Sequence, residues 1–534
     1  MLFYVYFNIY LRFLPINYYW YKALKLKKKS IVYNEKLSLP DMANPVKILL
    51  STVLFIAVFN ACKKENFNDD RDFELIFSQD TVIFDTVFTT VGSSTELFTV
   101  YNNSGKTVRI SSIRLAGGPS SPFRLNVDGL SGISFTDVEI NAEDSIFIFV
   151  EVTVDPNNQN SPMIVTDSVL FETNGNLQDV DLVAWGQDAY FHRPSPNTGS
   201  LFLLPCNENW NNDKPHVIYG YALVDSACVL NINQGANVHL HPGSGIIVLS
   251  SGTLKINGTL NEPVNIQGDR LGQNFQDVPG QWDRIWLSNI TRSNLVNGTS
   301  EIGPGSVNSE IKHAIIKNGN FGIIADTVFS PGQVTLNIEN TIIKNMVGNG
   351  LVSRGSSVRA FNSVFANCGS SSLSILFGGN NSFYHCTFVN YWNNSNRTDP
   401  VVFMNNYFSN NIRNMNAYFG NCIVFGNLET EIGVDSFPNA APGLFNFKFE
   451  NALLKVASSY PTSNPAFFSS IIRNSNPGFA DIDNNDYSIG LTSIVVNAGN
   501  QSITDLFPAI LGQDIKGTSR PQGAGPDLGA YEAQ

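Results

Sequence analysis

Three residues in the middle of this 534-residue chain have side chains suited to acid–base chemistry: Asp269, Asp283 and Arg284. Carboxylates can donate or accept protons, and a guanidinium can act as a base or stabilise charge, when a fold brings such groups together. We therefore take these three as the candidate catalytic residues. The structural alternative is that Asp283 and Arg284 form a pair at a Trp-capped edge, and it is the favoured interpretation because aromatic neighbours often simply fill a core.

Tryptophan side chains accompany these charges. On a strand, Trp282, Arg284 and Trp286 would share one face, and such a face can stack against a sugar ring. Trp392, further along the chain, is a third candidate for ligand binding. The expected ligand is a polysaccharide or a partner on the cell surface.

Metal ligands are sparse in the sequence. His239 and His241 would share a strand face, but no third ligand is visible, so we expect no metal site. The segment from Asp481 to Asp486 resembles the start of a calcium loop. Asp486 and Thr492 occupy the positions where an EF-hand has Gly and Glu, so a turn rich in Asx residues is the better interpretation. We predict no resident cofactor, with Ca²⁺ as the alternative.

The elements that must position these side chains form a repeat. An apolar residue stands two places before an asparagine in five copies: Ile316/Asn318, Ile343/Asn345, Phe365/Asn367, Phe388/Asn390 and Phe425/Asn427. Three places before each apolar residue stands a turn-prone or small polar one: His313, Asn340, Asn362, His385 and Cys422. A weaker sixth copy is Asn451/Leu454.

The spacing of these copies predicts a solenoid. The asparagines are 27, 22, 23 and 37 residues apart, and the segments between them are rich in Val, Ile, Phe, Ser, Asn and Gly. Short strands separated by turns are expected, with each coil pairing with the next in a right-handed parallel β-helix. The apolar residues would stack inside it, and the asparagines would form a ladder at a turn.

Acidic residues are rare in the centre of this solenoid. Between Ile311 and Leu428 they are Asp326, Glu339 and Asp399, which belong to different coils. Glycoside hydrolases and calcium-dependent lyases need clustered carboxylates. The pattern therefore favours a non-catalytic glycan-binding or structural protein, and a divergent polysaccharide lyase or glycoside hydrolase is the alternative.

One coil is about a dozen residues longer than its neighbours, because the interval from Asn390 to Asn427 contains an insertion. Its larger side chains are Tyr391, Trp392, Arg397, Tyr407 and Arg413. The insertion is either a functional loop or a flap that packs on the side of the solenoid, and the sequence leaves both interpretations open.

The composition excludes several partners. The net charge is −12 and only 15% of residues are charged, so the chain offers no basic face for nucleic acid. No glycine-rich phosphate loop, GxSxG elbow or HExxH motif occurs, so nucleotide-binding, esterase and zinc-protease functions have no support.

The N-terminus indicates export. Residues 1–41 are interpreted as an over-called extension, and residues 42–61 have the basic start, apolar stretch and small Ala61 of a signal peptide. The segment ending at Cys62 resembles the processing site of bacterial lipoproteins. The resemblance implies that Cys62 carries a lipid that anchors the protein to the outer membrane, with residues 62–72 as a polar tether.

Five further cysteines follow. Cys206 and Cys228 bracket the entry to the solenoid and could pair in an oxidising compartment. Cys368, Cys386 and Cys422 lie in the repeats and are expected to be small buried residues.

Residues 73–190 have short alternating strands typical of a β-sandwich. The segments 101–105 and 122–125 resemble immunoglobulin-like domains of the ASH and choice-of-anchor group on bacterial surfaces, which implies a spacer or adhesion module.

Residues 200–534 resemble the pectate-lyase-like β-helix superfamily. The C-terminal phrase GTSRPQGAGPDLGAYE is similar to that of uncharacterised Bacteroidetes β-helix lipoproteins. The resemblance implies an all-β envelope protein with a sandwich followed by a β-helix, and it assigns no activity.

Overall fold

A computed structural model describes residues 66–156, 163–195, 199–297, 303–326, 333–438 and 441–534. The expected extension, the signal peptide and Cys62 lie outside these residues. The chain divides into two compact units. Of the described residues, one unit contains those up to Val82 with Leu97–Val150 and Asp167–Leu182, and the other contains those of Ile83–Glu96, Glu151–Thr166 and Val183–Gln534. The described residues are almost entirely β-structure, as the sequence predicts.

The described N-terminal strands form two five-stranded sheets. The first sheet, in spatial order, contains Ile76–Phe77 (β1), Glu96–Asn102 (β3), Asp144–Val152 (β8), Phe123–Val127 (β5) and Leu130–Gly132 (β6). The second contains Thr81–Phe88 (β2), Asn176–Gln187 (β10), Met163–Thr173 (β9), Val108–Leu115 (β4) and Ser134–Ile140 (β7).

Rings from both sheets meet in the core of this region. The ring centroid of Phe171 on β9 lies 4.9 Å from that of Phe77 on β1 and 6.1 Å from that of Phe98 on β3. Along β8, Ile148 and Val150 are buried while the residues between and beside them are exposed, the alternation of strands with one covered face. The immunoglobulin-like assignment stays a prediction.

Residues 66–72, expected to belong to a tether, are bonded to this region. The backbone N–H of Asn68 donates to the carbonyl of Thr107 at 2.8 Å, and the side-chain amide of Asn174 donates to the carbonyl of Asn68 at 2.8 Å. Any free tether therefore ends before Asn68.

A second, larger set of strands forms the solenoid, which begins at Tyr190, before the expected start at residue 200. Its 27 described strands are Tyr190–His192 (β11), Leu201–Leu203 (β12), Glu208–Trp210 (β13), His216–Ile218 (β14), Tyr221–Val224 (β15), Val229–Asn233 (β16), Asn237–Leu240 (β17), Gly245–Val248 (β18), Thr253–Asn257 (β19), Val264–Gly268 (β20), Ile285–Leu287 (β21), Ser309–Lys312 (β22), Ala314–Lys317 (β23), Ile323–Ala325 (β24), Leu336–Glu339 (β25), Ile342–Met346 (β26), Leu351–Ser356 (β27), Val358–Phe361 (β28), Val364–Cys368 (β29), Leu373–Tyr384 (β30), Thr387–Asn390 (β31), Val402–Asn405 (β32), Met415–Gly420 (β35), Ile423–Gly426 (β36), Ile432–Asp435 (β37), Phe445–Leu454 (β38) and Phe468–Arg473 (β39).

The strands pair in parallel with the strand one coil further on. The first column starts β11, β14, β17, β20, the second β12, β15, β18, β21, and the third β13, β16, β19, β22. Three strands per turn with parallel pairing between turns make a parallel β-helix, and this part of the prediction is confirmed.

The inner face of the first column is the predicted apolar stack. Ile316 pairs with Ile343, Ile343 with Phe365, and Phe365 with Phe388, whose rings stack at 5.0 Å. The prediction for Phe425 is wrong, because Phe388 pairs with Val424.

A left-handed corner precedes each of these strands. The residues that adopt it are His313, Asn340, Asn362, His385, Asn421 and Asn451, with φ between 45° and 54°. Asparagine tolerates this conformation better than most residues. Asn421 holds the place that the sequence assigned to Cys422, and its side-chain amide lies 2.9 Å from Nε2 of His385 in the preceding coil.

The predicted asparagine ladder holds in three coils. Asn318, Asn345 and Asn367 have φ of 68°, 58° and 49°, and the amide of Asn345 donates to Asn318 at 3.5 Å. Asn390 instead is fully buried and bonds to the backbone of the preceding coil, and Gly426 takes the register position assigned to Asn427.

The C-terminal segment packs on the side of the solenoid. Phe425, on the outer face of β36, shares a second core with Leu528, Ala530 and Tyr531. The backbone N–H of Gly529 donates to the carbonyl of Asn421 at 2.8 Å. The C-terminal phrase thus covers a lateral face.

The remaining described elements are short. They are the hairpins Tyr407–Phe408 (β33) with Asn411–Ile412 (β34) and Phe479–Asp481 (β40) with Asp486–Ile489 (β41), the helices Arg292–Asn297 (α1), Gln501–Thr504 (α2) and Pro508–Leu511 (α3), and 3₁₀ turns at Gly118–Ser120 and Gln273–Phe275. Cys206 and Cys228 form a disulfide. No helix among the described residues is long and apolar enough to cross a membrane.

Candidate functional site

Four polar side chains form a column at one corner of the solenoid. The first-column strands end at the same register in consecutive coils, where Ile218 pairs with Leu240, and Leu240 with Gly268. The residues that follow the strand ends, with the equivalent residue of the first coil, are Arg193, Tyr219, His241 and Asp269. We call these four residues the corner column.

The corner column is continuous from one coil to the next. The guanidinium carbon of Arg193 lies 4.7 Å from the ring centroid of Tyr219, and the rings of Tyr219 and His241 are 4.5 Å apart. Nδ1 of His241 lies 2.7 Å from a carboxylate oxygen of Asp269. Cation–π, ring and charge-assisted contacts therefore join all four side chains.

The contact with Asp269 fixes the proton on His241. An ionised carboxylate only accepts hydrogen bonds, so Nδ1–H is the donor and Nε2 is the basic atom of the neutral ring. No described residue bonds to Nε2, and the His241 side chain is 45% exposed while that of Asp269 is 9% exposed. The imidazole therefore presents a basic nitrogen to solvent, while the carboxylate that holds its other nitrogen is covered.

Tyr219 is held in its neutral form. Burial raises the pKa of its hydroxyl, the charge of Asp269 raises that pKa further, and Arg193 opposes the shift. A neutral phenol next to an imidazole can donate a hydrogen bond or a proton to a ligand oxygen.

A long loop begins and ends at two of the predicted acidic residues. It leaves strand β20 at Asp269 and returns to strand β21 after Asp283 and Arg284. The side-chain amide of Gln281 fixes the loop by donating to the carbonyls of Phe275 at 2.6 Å and Val278 at 2.7 Å.

Asp283 and Arg284 form a paired structural contact at the far end of this loop. Arg284 donates to Asp283 at 2.6 and 3.0 Å, and the hydroxyl of Tyr221 donates to Asp283 at 2.6 Å. Burial, with the charge of Asp283, raises the pKa of Tyr221. The ring of Tyr221 lies over Gly245, where a Cβ atom would come within 3.0 Å of it. The Asp–Arg pair predicted as the structural alternative is thus present.

The tryptophans do not form one platform. Trp282 is fully buried, and its indole N–H donates to the carbonyl of Lys317 at 2.8 Å. Trp286 faces outward, and its indole nitrogen lies 3.3 Å from a carboxylate oxygen of Asp326. The shared face predicted from the sequence is wrong, because strand β21 begins only at Ile285 and Trp282 precedes it.

Part of the insertion in the long coil packs as a flap, and its best-buried large side chains are those of Trp392 and Arg397. Trp392 is 6% exposed, and its indole N–H donates to the hydroxyl of Ser395 at 2.9 Å. Arg397 is buried and binds both carboxylate oxygens of Glu431 at 2.6 and 2.8 Å. Trp392 therefore does not offer a face to a ligand.

Histidine and aspartate positions do not assemble a metal site. His239 is buried, its Nδ1 faces the carbonyl of Gly268 at 3.2 Å, and burial lowers its pKa to about 4. Asp481 accepts from the backbone of Asp483 and Asn484 in its own turn, as expected of an Asx-rich turn. Within the described ranges, no group of three or more His, Cys, Asp or Glu side chains could hold a metal ion.

A cleft adjoins the corner column at Arg270. It has a volume of about 490 Å³, and the solenoid side chains that line it include Asn237, Gln267, Arg270, Phe275 and Lys317. The guanidinium of Arg270 lies 5.2 Å from the ring centroid of Phe275. The ammonium of Lys317 donates to the carbonyl of Gln276 at 2.8 Å. Neither cation forms an ion pair with a carboxylate of the described chain.

Comparisons with known proteins add little to this geometry. No family model matches the chain, and no curated protein matches it. Among solved structures, pectate lyase Pel9A is 13% identical over 65% of this chain and 88% of that chain, with a TM-score of 0.28. The catalytic unit of a GH87 α-1,3-glucanase from Streptomyces thermodiastaticus is 9% identical over 71% and 89%, with a TM-score of 0.25.

A family 123 glycoside hydrolase from Clostridium perfringens is 11% identical over 25% of this chain, with a TM-score of 0.17. The present chain spans about a quarter of the length of that hydrolase, since 26% of it is covered. Similarities this distant do not assign an activity to this chain.

Proposed function

We propose that the solenoid binds an acidic polysaccharide at the corner column and the adjoining cleft. The observation that carries the proposal is the pair Arg270 and Lys317, two cations that line the cleft without a carboxylate partner in the described chain. A carboxylated sugar supplies the missing partner, because an ion pair that forms on binding gives charge-assisted hydrogen bonds.

The other lining groups fit a sugar as well. The carboxamides of Asn237 and Gln267 can donate to and accept from hydroxyl groups. The ring of Phe275 offers an apolar face to the C–H face of a pyranose. Such a mixture of a few polar groups and aromatic surface is typical of small-molecule sites.

We further propose that the protein works at the cell envelope. Cys62 would carry the lipid, and the mature chain would be held on the outer membrane, where it meets extracellular polysaccharide. This part rests on the signal-like sequence, and processing at Cys62 can be read directly by mass spectrometry of the mature N-terminus.

The alternative function is that of a divergent polysaccharide lyase, and the His241–Asp269 pair favours it. Nε2 of His241 would take the proton next to a uronate carboxylate, the C–O bond on the neighbouring carbon would break, and the phenol of Tyr219 would give its proton to the leaving oxygen. His241 and Tyr219 would supply this chemistry, and their rings lie 4.5 Å apart in the corner column.

Binding is tested with the full-length chain in detergent, titrated with tetragalacturonate and with a neutral tetrasaccharide. The double variant Arg270→Gln/Lys317→Gln should lose tenfold or more in affinity for the acidic probe, since each lost charged contact is worth about 1.5–3 kcal/mol. The matched control Arg109→Gln/Lys255→Gln removes two cations that already pair with Glu139 and Glu310.

Equal affinity in the cleft variant and the control would refute binding at this cleft. Oligosaccharide products that disappear in His241→Ala would replace the binding function with the lyase, whereas binding without products in the wild type would retain the binding function.

A further inference from the structure

A second cavity lies on the outer face of the solenoid, beside the hairpin β40–β41. It has a volume of about 590 Å³, and its lining includes Tyr391, Phe425, Lys455, Asn474, Asn476 and Phe479.

The aromatic walls of the cavity are anchored to a buried ring. Tyr487 is 1% exposed, the ring of Phe479 meets it edge-on at 5.3 Å, and the ring of Tyr391 stacks parallel to it at 6.4 Å. The side chains of Asn367 and Asn485 bond to each other and tie the hairpin to the solenoid. The walls are therefore set before any ligand arrives.

Lys455 places a positive charge in this aromatic setting. Its backbone N–H donates to the carbonyl of Val424 at 2.9 Å, and its ammonium lies 5.4 Å from the ring centroid of Phe425. No carboxylate of the described chain pairs with this ammonium. Lys448, on the strand β38 that ends just before Lys455, differs because its ammonium lies 3.5 Å from Glu450.

Two carboxylates, those of Asp483 and Asp481, also line the cavity. Neither forms an ion pair with Lys455, and Asp481 is held by its own turn. It accepts from the backbone of Asn484 at 3.1 Å and from the side-chain amide of Asn484 at 2.7 Å. These hydrogen bonds lower the pKa of Asp481. Its charge is directed into the turn, and the ammonium of Lys455 is left for an external anion.

The side-chain amide of Asn476 adds a hydrogen-bond donor to the lining of the cavity. The carboxamide oxygen of Asn476 accepts from the backbone N–H of Gly478 at 3.0 Å. In the described chain, no acceptor bonds to the NH₂ group of Asn476, which lines the cavity. A ligand hydroxyl would satisfy it.

We propose that this cavity binds one hexuronate unit, with the sugar carboxylate on Lys455 and the ring against Tyr391 and Phe479. A volume of about 590 Å³ suits a ligand of one or two sugar rings. The ammonium of Lys455 favours an anionic group and the aromatic walls favour an apolar ring face. A hexuronate has both, in its carboxylate and its pyranose ring. The proposal stands on these contacts and does not depend on the cleft at Arg270.

The test uses the full-length chain with Arg270→Gln/Lys317→Gln, which removes the first site, and an NMR titration with methyl β-D-glucuronide. The uncharged methyl β-D-glucoside is the matched probe. Lys455→Gln in this background should weaken glucuronide binding about tenfold or more, the scale of one charged hydrogen bond. Lys455→Arg should keep binding, and Lys448→Gln should leave it unchanged.

Failure of the glucuronide to bind, or equal binding by Lys455→Gln, would overturn the proposal. Equal affinity for the glucoside would do the same. Thermal melting checks that Lys455→Gln is folded. If it is not, the test is whether Lys455→Arg, which keeps the positive charge, still binds the glucuronide. If the proposal for this cavity fails, tetragalacturonate binding at the first cleft is still tested separately by the Arg270→Gln/Lys317→Gln variant.

Discussion

His241 and Asp269 occupy the same register position in adjacent coils, and Nδ1 of the imidazole lies 2.7 Å from the carboxylate. Asp269 is also the first residue of the loop that ends at Asp283. The contact therefore couples the half-exposed imidazole of the corner column to the base of the loop beside the cleft.

Asp269→Ala should change the tautomer of His241. Without the carboxylate, nothing holds the proton on Nδ1, and the Nε2–H form should become the main one. Long-range ¹H–¹⁵N spectra of histidine-labelled protein report this directly, with His313 as an internal reference. An unchanged tautomer would mean that another group orients the ring.

Acid should destabilise the solenoid between pH 6.5 and pH 4. Burial lowers the pKa of His192, His216 and His239 to about 4 from an ordinary value of 6.5. The unfolded chain then binds protons that the folded chain does not, so stability is complete above pH 6.5 and falls as the pH drops towards 4. Each imidazole accounts for up to about 3 kcal/mol.

Urea unfolding across this pH range measures the effect. His239→Gln should remove only part of the loss, because His192, His216 and His385 are also buried imidazoles with lowered pKa values and still titrate. A flat stability profile from pH 7 to pH 4 would contradict the assignment of these rings as buried and neutral.

Arg397→Met should destabilise the protein by about 3–5 kcal/mol, because it leaves the buried carboxylate of Glu431 without its partner. The two side chains are 1% and 0% exposed. Arg109→Met breaks an exposed pair and should cost about 0–1 kcal/mol. Denaturant unfolding compares them, and similar small losses would show that the flap does not depend on the pair.

Phe388→Ala should cost about 3–5 kcal/mol, the usual loss for a large ring removed from a core. Phe388 is fully buried and stacks on Phe365, whereas Phe408 on β33 is 57% exposed. Phe408→Ala should change stability by no more than about 0.5 kcal/mol. Equal losses would contradict the placement of Phe388 inside the solenoid.

The inner stack was predictable where coils have similar lengths. From Ile316 to Phe388 the repeat keeps its frame, and each apolar residue points inward as expected. The frame shifts by one residue after the insertion, so Val424 enters the stack and Phe425 turns to the lateral core. The sequence pattern does not show how many residues of an insertion lie outside the coil. The frame of the repeat after the insertion therefore could not be predicted.

The corner column was only half predictable. Asp269 was identifiable as a charged residue beside Arg270, but its partners Tyr219 and His241 lie in other coils. Their alignment depends on where each strand ends. A signal existed in the left-handed glycines Gly220 and Gly243, which follow the strand ends in two successive coils and mark the common corner.

Hydroxyl-radical footprinting of the full-length protein, with and without tetragalacturonate, tests the central claim most directly. Binding at the corner column and the cleft predicts protection of Tyr219 and Phe275, with no change at Phe408. Protection elsewhere with none at Tyr219 and Phe275, or no protection at any residue, would contradict the account.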